Sequence, residues 1–117
     1  MRGVDPLLVE RRLRLRAQEL RSQITTLRAR AGNVAATEVG DAKDAADASA
    51  RAVVDDAEVE RDFAELRDIR MALAAIGEGR YGICTECGSP IDARRLAAQP
   101  TAFRCVACQA VAEGGRR

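Results

Sequence analysis

Cys84-Thr85-Glu86-Cys87 and Cys105-Val106-Ala107-Cys108 hold every cysteine of this 117-residue chain. They form two C-x-x-C pairs with seventeen residues between Cys87 and Cys105. That spacing lies in the range of a four-thiolate zinc site. Zinc accepts tetrahedral thiolate coordination, and each C-x-x-C turn presents two sulfurs to one ion. Cys84, Cys87, Cys105 and Cys108 are therefore the candidate ligands of a single Zn²⁺. Four protein ligands leave no open position, so the expected metal is structural and not catalytic. Gly82 precedes the first pair and Gly88 follows it, where a flexible backbone lets amides bend toward sulfur.

Two disulfides or four free thiols are the alternative reading. A disulfide framework needs an oxidising compartment, and Met1-Arg2-Gly3-Val4-Asp5-Pro6 lacks the long apolar run of a signal peptide. No apolar stretch approaches the length of a membrane span, so a soluble, cytoplasmic protein is expected.

Aromatic residues make up 3% of the chain and tryptophan is absent, which argues against a large globular core. Hydrophobic content is 47%, much of it alanine, a residue that favours helix more than core volume. A zinc staple is what a small C-terminal module of this composition needs in order to fold.

The net charge of +1 is segregated. Residues 1–34 carry eight arginines and three acids, residues 35–68 four cations and eleven acids, and residues 69–117 seven arginines and four acids. Such a balance argues against general nucleic-acid binding, which draws on phosphate neutralisation. The acidic middle would repel a phosphate backbone.

Asp5-Pro6 reads as a helix start, an acid at the cap followed by proline in the first turn. From there Val9, Leu13, Ala17, Leu20, Ile24, Leu27, Ala31 and Val34 recur at steps of three and four, the seam of a coiled-coil arm. The turn is expected within residues 33–43, with Gly40-Asp41 the best breakpoint. A second helix follows, from Asp41 or Asp44 to Ile76. Its stripe is Ala45, Ala52, Val59, Phe63, Leu66, Ile69, Leu73 and Ile76, and Gly77 and Gly79 stop it. No proline stands between Pro6 and Pro90 to break either arm. Two long arms joined by a short turn pack antiparallel. Arg11, Arg14, Arg21 and Arg28 are expected to face Asp55, Asp56, Glu58, Asp62 and Glu65, which favours this hairpin over a like-with-like dimer.

The expected fold is thus mainly α: a long antiparallel two-helix coiled-coil hairpin, residues 1–78, then a small four-cysteine zinc-finger module, residues 79–113. Residues 114–117 form a flexible tail. The tip, near 40–47, carries Asp41, Asp44 and Asp47. Acids at a helix N-terminus interact favourably with its dipole, so capping explains one or two of them.

The run Gly79-Arg80-Tyr81-Gly82-Ile83-Cys84-Thr85-Glu86-Cys87-Gly88, with Ile91, Arg95-Leu96, Ala98, Pro100, Ala102, Cys105 and Cys108, resembles the zinc-finger signature of the DksA/TraR family. The preceding hairpin with an acidic tip is similar to that family too. The resemblance implies a transcription regulator, not an enzyme, that binds RNA polymerase at its secondary channel and modulates initiation without sequence-specific DNA contacts. The family's tip motif, D-x-x-D-x-A, falls on Asp41, Asp44 and Ala46; a rival register uses Asp44, Asp47 and Ser49. The resemblance further implies a monomer with no membrane partner. Members that respond to the alarmone ppGpp use basic residues on the second helix; here Arg61 matches one position, but Asp68 takes another and Glu65 replaces an apolar residue. That face argues against strong ppGpp dependence. The alternative function is a zinc ribbon that binds DNA or RNA directly through Arg80, Arg94, Arg95 and Arg104.

Overall fold

Asp5 opens the first helix as its cap. Its Oδ1 accepts a hydrogen bond from the Leu7 amide at 3.0 Å, and its carbonyl accepts the first helical bond, from Val9, at 3.1 Å. In this computed structural model, which describes residues 4–36 and 42–114, side chains are described for 4–30 and 56–114. Helix α1 runs Pro6–Ala36 and α2 runs Ala42–Gly77; two short helices follow, α3 at Ala93–Ala98 and α4 at Val106–Ala112. Helix α1 passes through Gly32-Asn33 without a break. Gly40-Asp41 lies outside the described residues.

The end of α2 is set by its glycines. The Arg80 amide donates to the Ala75 carbonyl at 2.9 Å and the Gly79 amide to the Ile76 carbonyl at 3.2 Å. This is the six-to-one and five-to-two pairing of a Schellman cap, and it needs a left-handed residue at its turn. Gly79 supplies it with φ +75°.

Two compact units form, one of residues 1–15 together with 68–117 and the other of residues 16–67. The 16–67 unit is an antiparallel helical pair. Arg16 stands opposite Glu65, and Leu27, further along α1, shares a groove with Glu58, further back in α2. Its buried seam is Ala17, Leu20, Ile24 and Leu27 against Leu66. The expected step of three and four is therefore met on α1 as far as Leu27; the side chains of Ala31 and Val34 lie outside the described residues. On α2, Phe63 is only partly covered and lies 5.0 Å beneath the Arg28 guanidinium.

The ion pairing differs from the expected set. Arg16 crosses to Glu65 through two bonds, Nε to Oε2 at 2.7 Å and an η nitrogen to Oε1 at 3.0 Å, and also reaches Glu19 in its own helix at 3.0 Å. Arg14 instead pairs with Glu10 one turn back, at 2.8 Å. Arg16 is half-buried, whereas Arg11, Arg14 and Arg21 are exposed. With both partners about 40% exposed, the pair contributes on the order of 0.2–1 kcal/mol and serves register more than stability.

In the other unit, Leu13, Ile69, Ala72, Ala75, Tyr81, Cys84, Ile91, Leu96 and Ala102 are buried. The sequence stripe gave Leu73 and Ile76 here; they are half-buried, and Ala72 and Ala75 take the inward face. Arg12 donates to the Ala97 carbonyl at 3.0 Å, tying α1 to the end of α3. The Tyr81 hydroxyl donates to the Pro100 carbonyl at 2.8 Å. Among the described residues there is no strand, only an isolated bridge between Ile83 and Pro90, and no helix long and apolar enough to cross a membrane.

Leu20 is fully buried and Leu15 is 58% exposed. Leu20→Ala is expected to cost about 2–5 kcal/mol, from lost transfer energy and the cavity left behind. Leu15→Ala should stay within about 0.5 kcal/mol. Thermal unfolding followed by helical circular dichroism separates the two.

Candidate metal centre

The first C-x-x-C pair sits in a tight loop. The Ile91 amide donates to the Gly82 carbonyl at 2.7 Å and the Cys84 amide to the Ser89 carbonyl at 2.8 Å, which brings two short extended segments together. The loop closes with the Gly88 amide on the Cys84 carbonyl at 3.0 Å. Gly88 has φ +76°, a conformation that costs a side-chain-bearing residue.

The second pair starts a helix. Cys105 is the N-cap of α4, and its sulfur accepts from the Cys108 amide at 3.5 Å. The two halves are joined through Thr85: its amide and its hydroxyl both donate to the Phe103 carbonyl, at 2.9 and 3.2 Å. Arg95 supports the same segment from the other side, its Nε donating to the Arg104 carbonyl at 3.0 Å.

These bonds gather the four sulfurs of Cys84, Cys87, Cys105 and Cys108 within 4.8 Å of one another. A tetrahedron with arms of about 2.3 Å has edges of about 3.8 Å, and the Cys87 and Cys105 sulfurs are 3.8 Å apart. A disulfide needs about 2.05 Å, so all four cysteines are free. Cys84 is buried, Cys87 exposed, and the other two half-buried.

The electrostatics call for a cation. Backbone amides of Cys105 and then Cys87 draw the Cys84 thiol down to about 6. The Ser89 hydroxyl and amide lower Cys87. Cys108 is pushed up to about 12, first by sharing its proton with Cys105 and then with Cys84. Four negative sulfurs cannot accumulate here unaided, because each added charge opposes the next. An all-thiolate set of this size fits zinc. The four cysteines would hold one Zn²⁺, which supplies the positive charge and links two chain segments into a fold. The four-cysteine site is a structural zinc finger.

Of the four arginines in the basic set, Arg80 pairs with Glu78 at 2.6 Å and Arg94 is 96% exposed. Arg95 and Arg104 are turned to internal tasks. Arg104 lies 4.6 Å over the Phe103 ring, donates to Gln109 Oε1 at 3.3 Å and comes within 3.9 Å of Glu86. Asp41 lies outside the described residues, as do the side chains of Asp44, Ala46, Asp47 and Ser49. The roles of Thr85, Phe103 and Arg12 have no signal in the sequence, since each acts through a backbone carbonyl distant along the chain.

Metal analysis of freshly purified protein should give one zinc per chain. Chelation should abolish amide-exchange protection in residues 80–114 and leave protection in 16–67, because ligand binding and folding of such modules are linked. A module that stays ordered in chelator contradicts this.

Residues 79–114 match the model of the prokaryotic dksA/traR C4-type zinc finger. The RNA polymerase-binding transcription factor DksA of Escherichia coli is 38% identical over 48 residues, 41% of this chain and 32% of that protein. Its counterpart in Buchnera aphidicola is 40% identical over an equal span. An uncharacterized 8.2 kDa protein of Escherichia phage P2 is 58% identical over 31 residues, 26% of this chain and 42% of its own length. The alignments thus span less than half of each of these relatives. The structure of transcription factor DksA2 from Pseudomonas aeruginosa superposes with a TM-score of 0.81 at 28% identity, over 93% of this chain and 83% of that one. The finger matches in sequence and the helices with the finger match in fold: residues 79–114 are a zinc finger of the dksA/traR C4 type, and the chain as a whole is similar in fold to transcription factor DksA2.

Proposed function

We propose that this protein is a transcription regulator that binds RNA polymerase at its secondary channel and modulates initiation without sequence-specific DNA contacts. The observation that carries this reading is the fold match to transcription factor DksA2 over 93% of the chain. Relatives named as RNA polymerase-binding transcription factors support it. In this reading residues 79–113 dock the protein and the hairpin, residues 1–78, acts as a probe. Asp41, Asp44 and Ala46 act at the tip, with Asp44, Asp47 and Ser49 as the rival register. The protein works as a cytoplasmic monomer, and its zinc holds the docking module without taking part in chemistry.

Direct nucleic-acid binding through the zinc module is disfavoured. Arg95 and Arg104 are engaged within the module, which leaves few cations free for phosphates, and stacking aromatics are scarce.

A polyphosphate effector also meets a poor surface. Both Glu65 oxygens are held by Arg16. Asp68 lines a cavity of about 270 Å³ with Arg95, Gln99, Arg104 and Glu113. Two carboxylates there offset the two guanidinium groups, so a tetra-anionic ligand gains little.

Core polymerase should retain the protein in a pull-down at moderate salt, and duplex DNA should not. Asp41→Asn with Asp44→Asn should leave melting within a few tenths of a kcal/mol, since asparagine caps about as well as aspartate. Polymerase affinity should change modestly while the effect on transcription is lost. Asp44→Asn with Asp47→Asn tests the rival register; full activity of both pairs refutes an active tip.

An in vitro transcription titration should show ppGpp changing the protein's effect by less than about tenfold, or about 1.4 kcal/mol of coupling. A larger enhancement refutes the reading of the Asp68 face.

A further inference from the structure

Within the 16–67 unit, Ser22, Gln23, Thr26 and Leu27 of α1 and Glu58 of α2 line an open groove of about 340 Å³. Helix α1 offers Leu27, a buried seam residue, to its wall, and Glu58 closes it from α2.

Glu58 is half-buried and, among the described residues, its carboxylate makes no hydrogen bond or ion pair. Two arginines of α1 are committed elsewhere: Arg16 to Glu65 and Glu19, and Arg28 to the face of Phe63. Around Glu58 stand two hydroxyls and one amide, and Leu27 supplies an apolar wall. Among the described lining residues acceptors dominate, and the one formal charge is negative.

Those features select a ligand class. Calcium takes six to eight oxygens, usually several of them carboxylates, and one carboxylate with hydroxyls falls short. An anion meets Glu58 and the acid-rich residues 35–68. A neutral apolar ligand would bury the carboxylate further without a partner, which is costly. A planar cation with several N–H donors on an apolar stem satisfies every group at once.

We infer that this groove is a binding site for an alkylguanidinium group, with Glu58 as its carboxylate partner, Ser22, Thr26 and Gln23 as acceptors, and Leu27 against the stem. The group comes either from a free guanidinium compound or from an arginine of a bound protein; the second source rests on the polymerase reading above.

The test is a titration of the full zinc-loaded, nitrogen-15-labelled chain with ethylguanidinium, read by amide shifts. Saturable shifts at residues 22–27 and 57–59 are expected. Tetramethylammonium, of equal charge but without N–H donors, should produce none there. Glu58→Gln should weaken binding by about tenfold or more, and Thr26→Val by about threefold. If Glu58→Gln does not fold, Ser22→Ala with Thr26→Val makes the same comparison. Equal shifts with tetramethylammonium, shifts spread along the acidic face of α2, or unchanged affinity in the variants overturn the proposal. A parallel measurement with core polymerase assigns the source. A loss of about tenfold in Glu58→Gln places the guanidinium on that partner, and unchanged binding with the ethylguanidinium site intact assigns a free compound. A chain that binds no polymerase refutes the functional reading alone, and the ethylguanidinium titration still decides the groove.

Discussion

Four sulfurs within 4.8 Å of one another are the constraint on which the C-terminal part of this protein depends. Thiolates at that separation repel, and the thiol form of all four gives little attraction to replace what the repulsion removes. A divalent cation at the centre turns that repulsion into a cross-link between residues 84–87 and 105–108. The surrounding bonds are arranged to serve it. Thr85 and Arg95 both hold carbonyls of the segment that leads into Cys105, and Gly88 turns the first loop so that Cys84 and Cys87 face one point. The apolar side chains here are few: Tyr81, Ile91 and Leu96 are the large ones buried besides the helix residues. A module with so small a core relies on its metal for folding energy.

The helical pair is held together differently. Among the described residues its seam is continuous on α1 from Ala17 to Leu27, and the α2 sequence opposite is rich in alanines and acids. The Arg16–Glu65 bridge and the Arg28–Phe63 stack add direction and register at modest energy. The groove at Glu58 lies beside this seam, with Leu27 on its wall.

The metal centre shares its neighbourhood with arginines whose sequence positions suggest a basic surface. Packing redirects two of them. Arg95 and Arg104 direct their donors to a carbonyl and an amide oxygen, and Arg104 lies over Phe103. A guanidinium beside an unpaired carbonyl forms that bond because a buried carbonyl without a partner is costly.

Much of this protein was decided locally, and the sequence alone determined that much. Paired C-x-x-C turns, the Asp5-Pro6 start, the α1 seam and the glycine stop after Ile76 each depend on residues a few positions apart, and short-range geometry is what sequence patterns record. The fold class and the cysteine set follow from them. What only the tertiary structure decided involves partners far along the chain. Arg16, and not Arg11, Arg14 or Arg21, crosses to Glu65, forty-nine positions away. Ala72 and Ala75 face inward, where the stripe named Leu73 and Ile76. Arg12 reaches Ala97, and Glu58 has no partner among the described residues. Which charged groups meet depends on the rotation and register of one helix against another, and those are set by the summed packing of many side chains. No window of sequence contains that sum.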